Sequence, residues 1–501
     1  MNKILRTIAV LLLSPLAAVA AGLQAGVARV EITDRKVGPV NDPSYVKALV
    51  LKDGERTVVI VTVDAVAIGG IGRIGDGYLA NVRAQLQKDL GIPPASVIVN
   101  ASHCHSVVRA DADMLTVQAV KNAWKGMVPV KVAAGTGHED RISENRRLKM
   151  KDGSEVDMRR AYSMPRDEDV AGVGPIDPQI GLLRLDRADG RPLAVLYQFA
   201  CHPIMGVPSG ANTADFPGFA SKVIEESLGH GALALFVQGC GGDINPVRYK
   251  EVTQPHNAET LGNLLGLSVT RALGKIESRE GAELRVVNEI LTLPRGRDLE
   301  QRIAAIQTEQ AKLLKSLRPT NINFKTFLPL LLQQKLSPEF PSHYAQSYLH
   351  DKALGRDDLA KLDAENRAGV EAYLQNIQAM EQLTRLNTNL ALLKKHLAEN
   401  QAAGKPTLDA EVAGVRIGDF KLVTFPGELT VETGLNIRKA ANDPLAFVSG
   451  YTNGYIFYTP TAAQRNNTGY AQEDCDSLVA PEWQKLFEER AAAVLKKLAT
   501  P

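Results

Sequence analysis

The chain reads as a mixed α/β protein: layered β-sheets flanked by helices, with a helical insertion. Three observations predict it. Strand-length apolar runs alternate with amphipathic helices from about residue 22 to 295. Residues 297–404 are rich in Ala, Leu, Glu, Gln and Lys, the composition of helices. From 408 the β pattern resumes.

In order along the chain, 58–63 is an apolar β-branched run and reads as a buried strand. Residues 78–90 carry apolar side chains at helical spacing, and 96–100 is the next strand. A strand over 193–198, a helix over 217–228 and a strand over 232–237 repeat the alternation. A long helix over 258–276 and a strand over 284–293 complete it. In the insertion, 299–317 and 357–400 read as helices. Between them, the apolar stretch 324–332, followed by Pro338 and Pro341, either packs beneath those helices or forms a lid or lipid-facing rim. Residues 412–423 read as a hairpin turning at Gly418-Asp419, whose second strand runs into Thr424-Phe425-Pro426-Gly427-Glu428. A helix over 481–498 ends the chain. The expected organisation is a leader at 1–21, a catalytic domain from 22–296 and 405–501, and the insertion at 297–404.

The leader expectation rests on Lys3 and Arg6, the apolar run 8–16, and the small residues Ala17-Ala18-Val19-Ala20-Ala21. The apolar run is too short to span a membrane, no later segment approaches about 20 apolar residues, and no cysteine lies at the cleavage region. A secreted or periplasmic protein without a transmembrane segment is expected, with transient membrane-surface contact open to it. Removing Lys3 and Arg6 from the 58 basic residues leaves them equal to the 56 acidic ones. That balance argues against a nucleic-acid partner. Cys104, Cys201, Cys240 and Cys475 allow three full pairings; they either brace the site as a disulfide or act as small buried hydrophobes.

Chemistry concentrates at two strand ends, Asn100-Ala101-Ser102-His103-Cys104-His105-Ser106 and Phe199-Ala200-Cys201-His202-Pro203, which hold three of the nine histidines. A single strand-end histidine most often bonds backbone; two such motifs together point to a metal, zinc first, since neutral imidazole is its commonest protein ligand. His103 and His105 stand two apart on extended chain and share a side. A division in which one binds the metal and the other works beside it therefore suits them best. A carboxylate should complete the set, and Glu428, isolated in a Pro-Gly-Glu turn at a strand end, is the most suggestive.

Nine segments in order resemble the catalytic domain of the neutral ceramidase family. They are the opening Ala25-Gly26-Val27-Ala28-Arg29-Val30-Glu31-Ile32-Thr33-Asp34, the strand ending at Asp64, Ser102-His103-Cys104-His105-Ser106, Glu144-Asn145-Arg146-Arg147, and the histidine element from Phe199 to Met205. Asn212-Thr213-Ala214-Asp215-Phe216-Pro217-Gly218-Phe219-Ala220 follows, then Phe236-Val237-Gln238-Gly239-Cys240-Gly241-Gly242-Asp243-Ile244-Asn245-Pro246, Phe425-Pro426-Gly427-Glu428, and Asn453-Gly454-Tyr455-Ile456-Phe457-Tyr458. The resemblance implies a zinc amidase that cleaves an N-acyl amide by metal-activated water, as in ceramide to sphingoid base and fatty acid. It places the zinc ligands on His103, His202, Glu428 and Tyr458. It makes His105 the proton-handling partner, Arg146 the cation facing the substrate or oxyanion, and Tyr470, twelve residues after Tyr458, a second active-site tyrosine.

The chain also departs from the family pattern. Asn245 stands where the family has serine, which leaves it a substrate hydrogen-bonding role and no nucleophilic one. Val107-Val108-Arg109-Ala110-Asp111-Ala112-Asp113 replaces a Gly- and Pro-rich run, so Arg109 either meets an acidic substrate group or is a solvated loop cation. The family's C-terminal immunoglobulin-like domain is not expected here. Other N-acyl lipids, N-acyl amino acids, smaller amides and esters stand as alternative substrates. A non-catalytic lipid- or metal-binding relative is the contrasting class.

Overall fold

The computed structural model describes residues 22–157, 165–251, 253–341, 345–469 and 471–500. The leader expected at 1–21 and Tyr470 lie outside the described residues. An eight-stranded mixed sheet runs Leu233–Gln238, Pro192–Phe199, Gln179–Arg187, Val128–His138, Gln24–Glu31, Tyr45–Asp53, Arg56–Val63, Val97–Ala101. A four-stranded sheet runs Leu284–Pro294, Thr407–Ile417, Phe420–Thr424, Ala446–Ser449. The mixed α/β class read from the sequence is the one observed.

The central strands are continuous apolar runs because both faces of the large sheet are covered. One face packs Val46, Ala48, Val59, Val61, Val97 and Val99 under the helices Tyr78–Leu90 and Ala112–Lys125. At the other end of the sheet, Val195, Tyr197, Ala234 and Phe236 pack under Asp215–Leu228 and Ala258–Leu273. The opposite face, through Leu49, Ile60, Leu183 and Leu196, meets Val415, Phe420 and Phe447 of the second sheet. The sheets approach so closely at Gly181 that a Cβ there would lie 2.7 Å from the Phe447 ring. The second sheet's outer face is closed by Val431–Ala441 and Trp483–Ala499, with Trp483 and Phe487 buried against Phe425. The result is four layers, helix, sheet, sheet, helix.

Three strand pairs in this sandwich are parallel: Arg56–Val63 with Val97–Ala101, Pro192–Phe199 with Leu233–Gln238, and Phe420–Thr424 with Ala446–Ser449. Asn100 links all three. Its Nδ2 donates to Ser449 Oγ at 3.0 Å, Gly450 O at 2.9 Å and Thr452 Oγ1 at 3.0 Å, while its Oδ1 accepts from Gln238 N at 2.9 Å. The segments leaving the carboxyl ends of these strands are thereby held together, the usual position for a ligand site in open α/β sheets.

Pro294 pairs opposite Thr407, so the helices Leu299–Ser316, Phe324–Leu336, Ala345–Ala353 and Asp358–Ala403 leave and return across one rung of the second sheet. Their base is tied to the residues just after Tyr458. His396 bonds Asp476 through Nε2 at 2.8 Å and Glu399 through Nδ1 at 3.1 Å, and Arg465 bonds Asp298 at 2.7 and 3.0 Å. Leu299, Leu393 and Cys475 form a small core there. The apolar stretch 324–332 lies on a helix of which Phe327 alone is buried, against Tyr373. Among the described residues no helix is long and apolar enough to cross a membrane.

Asp215 opens its helix at φ +56°. Its carboxylate accepts from Phe216 N at 2.7 Å and Gly206 N at 2.6 Å. Burial pushes its pKa up to about 7 from 3.8, so between roughly pH 4 and 7 the folded chain holds a proton that the unfolded chain has lost. Stability from this group is therefore full below pH 4 and lost as pH rises toward 7. Denaturant titrations of wild type and Asp215→Asn should show the wild-type advantage shrinking across that interval and constant above it. A pH-independent difference would refute this reading.

Candidate metal centre

His103 follows the fully buried strand Val97–Ala101, whose free edge is covered by the segment at 451–453: Ala101 N donates to Tyr451 O at 3.1 Å and Asn453 N to Val99 O at 2.9 Å. The chain then turns sharply, with His103 at φ +68°. For a residue with a Cβ this conformation costs about 1–2 kcal/mol and survives only where surroundings impose it. Tyr451, Asn453 and Phe457, at φ +54°, +59° and +62°, hold the same region of backbone space on the facing segment. His202 leaves Pro192–Phe199 and is fixed by its N–H on Ile244 O at 3.0 Å. Glu428 begins a two-residue parallel ladder with Tyr458–Thr459. Its strand passes so close to Gly242 that a Cβ on Gly242 would lie 2.7 Å from Glu428 O.

These turns bring His103, His202 and Glu428 together, their candidate ligand atoms all within 4.8 Å of one another and each residue 1–2 % exposed. Glu428 Oε2 lies 3.1 Å from His202 Nε2 and 3.5 Å from His103 Nε2. Each imidazole is oriented through its other nitrogen: His103 Nδ1 is 2.6 Å from Val66 O, and His202 Nδ1 is 2.6 Å from Gly241 O. A carbonyl only accepts, so both Nδ1 atoms carry the proton and both Nε2 lone pairs point inward, as metal-bound histidines are usually held. Burial pushes His103 down to about 4, so it is neutral at pH 7. Burial alone would raise Glu428, but the two histidines and the Tyr455 hydroxyl hold it well below the usual carboxylate range. Two imidazole nitrogens and one carboxylate oxygen, with a phenol beside them, fit a divalent metal ion.

Around the three lie tyrosines and one guanidinium. Tyr458 Oη is 3.3 Å from His202 Nε2, close enough to join the set. Tyr455 donates to Glu428 Oε1, and Tyr451 donates to Oε2 at 3.3 Å while its ring lies 4.4 Å from that of His103. Arg146 donates to Tyr458 Oη at 3.2 Å, Glu473 Oε1 at 2.6 Å, Asn245 Oδ1 at 3.1 Å and Gly242 O. Burial works against its charge, but Glu473, Tyr458 and Asp157 more than compensate and hold its pKa well above the ordinary value. Asn245 Nδ2 is buried without a hydrogen-bond partner among the described residues.

His105 differs from its neighbours in being exposed. Its ring stands 5.5 Å from that of His103, nearly perpendicular, at a cleft of about 440 Å³ shared with Asp34, Pro203, Asn212, Asp215 and Tyr249. His103 is thus enclosed in the cluster, and His105 stands outside it at the cleft. Arg109 is exposed on a separate depression, its guanidinium bonded to Asp111 at 2.8 and 2.6 Å. The four cysteines are all free and buried, which leaves the small-hydrophobe reading. Sequence reasoning missed Tyr451 and Tyr455 as partners of Glu428, and Glu473 and Asp157 as partners of Arg146. The first pair sits inside or beside the aromatic run ending at Tyr458, where only the strand register separates ligand from neighbour. The acids carry no local signal.

No protein-family model and no curated protein matches the chain. Among solved structures, it is similar to neutral ceramidase from Pseudomonas aeruginosa, with a TM-score of 0.59 and 17 % identity over 96 % of this chain and 76 % of that one. It is also similar to a structure of ceramidase complexed with C2, with a TM-score of 0.60 and 17 % identity over the same shares. The fold is that of the neutral ceramidase structures.

Partners of a ligating carboxylate commonly change metal affinity by about 10- to 100-fold. Tyr455→Phe should weaken divalent-metal binding by that order in competition dialysis, while Glu428→Gln should abolish stoichiometric binding. Unchanged affinity in both would show that the cluster does not hold the ion.

Proposed function

We propose that the protein is an exported zinc-dependent amidohydrolase that cleaves an N-acyl amide, with an N-acyl lipid such as ceramide the leading substrate. The observation that carries this reading is the buried His103–His202–Glu428 cluster with an exposed histidine at an adjacent cleft, in a fold shared with ceramidase. His103, His202, Glu428 and Tyr458 would hold the zinc. Bound there, the ion supplies a Lewis acid that polarises the amide carbonyl and makes water nucleophilic at neutral pH.

The chain's own groups do the rest. Glu428 and the two imidazoles form a buried seat whose geometry is set by backbone carbonyls and tyrosines. The Arg146 cation, held by Glu473, faces the Tyr458 hydroxyl and stabilises negative charge developing on that side, with Tyr470 in the same role. Asn245 offers its unpartnered amide hydrogen to the substrate. His105, open to solvent, passes a proton to the leaving nitrogen, which departs as an amine.

The cleft beside His105 is lined by Asp34 and Asp215 together with Asn212 and Thr213, with no lysine or arginine among the described residues. That lining favours an amine product bearing hydroxyl or cationic groups. It disfavours an N-acyl amino acid, whose carboxylate would lie against Asp34. Arg109, held by Asp111 on another depression, does not supply the missing cation.

Hydrolysis of a matched panel of ceramides, N-acyl amino acids and short amides by the zinc-loaded mature chain tests this. Turnover should favour ceramide-like amides, disappear on chelation, return with zinc, and be lost in His103→Ala. His105→Ala should lower kcat by about 100- to 10,000-fold while retaining zinc. Full zinc occupancy without cleavage of any panel member would overturn the amidase reading.

A further inference from the structure

Ten of the fifteen large hydrophobic side chains exposed among the described residues lie between 314 and 380, within the helices hung from Pro294 and Thr407. Such concentration sets them apart from scattered surface apolars and marks a surface that meets something. The helix Phe324–Leu336 carries the densest part. Phe327 points inward and stacks on Tyr373 of Asp358–Ala403 with ring centroids 4.7 Å apart. Phe324, Leu328, Leu332 and Leu336, four apart, are 64, 43, 52 and 83 % exposed. A helix packed on one neighbour needs one apolar stripe. This one has two, and the outer has no partner among the described residues.

We propose that Phe324–Leu336 is a membrane-docking helix that lays the row Phe324, Leu328, Leu332 and Leu336 into the interface of an anionic lipid surface. Charge chooses the occupant. The helix has Lys325 near its start and Lys335 near its end and no acidic residue. This pattern suits a short interfacial helix among anionic headgroups, with aliphatic lysine stems lying along the apolar boundary. A second copy fits poorly: laid parallel, each lysine meets itself, and laid antiparallel, Lys325 meets Lys335, with no carboxylate on the helix to offset either contact.

The docking helix is an anchor set apart from the chemistry. Tyr373 lies 23 residues before His396 on the same long helix, which is about 35 Å at 1.5 Å per residue, and His396 is fixed to Asp476 beside the Tyr458 segment. The row thus grips a surface while the long helix keeps a constant spacing to the site. Its purpose rests on the lipid-substrate reading above, but its binding does not.

The test is flotation of the mature chain with phosphatidylcholine vesicles, with and without phosphatidylglycerol. Wild type should float with the anionic vesicles. Leu328→Asp/Leu332→Asp should reduce the bound fraction at least tenfold, with unchanged thermal unfolding and zinc content. Lys325→Gln/Lys335→Gln should remove the preference for phosphatidylglycerol. Wild type free of all vesicles, or equal binding by the aspartate variant, overturns the proposal. So does a wild-type dimer that the aspartate variant turns to monomer without altering flotation. Hydrolysis of the amide panel, measured in detergent without vesicles, keeps the two readings distinguishable: flotation lost in the variant with no panel amide cleaved by any form sustains docking and sinks the amidase. Hydrolysis unchanged in a wild type that never floats does the reverse.

Discussion

A carboxylate ionised at about 1 % exposure is the constraint around which the molecule is arranged. Burying Glu428 alone would cost several kcal/mol, and the protein would sooner protonate it than carry it. Two tyrosine hydroxyls oppose that by donating to its two oxygens. Two imidazoles are turned toward it, each tethered through Nδ1 to a backbone carbonyl. His103 is neutral at pH 7, so its Nε2 is an acceptor facing an acceptor. Such a site suits a cation. The same groups would be a poor way to stabilise a fold.

Holding those acceptors in place falls to backbone. The three ligands come from three separate strand ends, and Asn100, on the first, bonds the parallel neighbours of the other two strands through Gln238 and Ser449. Left-handed conformations at His103, Tyr451, Asn453 and Phe457 show where the chain is forced out of its preferred geometry to aim side chains. The sandwich meets that cost with apolar burial at the three interfaces between its four layers. Rigidity at the site is therefore a property of the layers behind it, and loops contribute the chemistry without contributing the stiffness.

Much of this was legible in the residues. Continuous apolar runs such as Val58 to Val63 announce strands buried on both faces, and the alternation with amphipathic helices announces layers. His103, His202 and Glu428 stand out as polar residues terminating such runs. What the sequence could not carry was long-range pairing. Tyr455 and Tyr458 are three residues apart in one aromatic run. Only the parallel ladder between Glu428 and Tyr458 puts the second beside His202 and sends the first to Glu428 Oε1. Glu473 meets Arg146 across more than 300 residues, and nothing local marks it. The stretch 324–332 was readable as apolar but not as outward-facing, because one inward phenylalanine is enough to seat a helix.

Exposure separates what is built to hold from what is built to act. His103 and His202 are 2 % exposed, and Asn245 and Arg146 are comparably enclosed; His105, two residues from a ligand, is open to solvent beside a cleft. A protein that only stored a metal would gain nothing from a titratable histidine at the edge of its seat. The amide hydrolase proposed above would need one, since the nitrogen that leaves must take up a proton. The base of the helical excursion is joined to this region through His396 and Asp476, whose backbone carbonyl accepts from Tyr458 N. The long helix that seats the apolar row is therefore anchored on the segment that carries the candidate phenol ligand, which fixes the distance between the two without joining their chemistry.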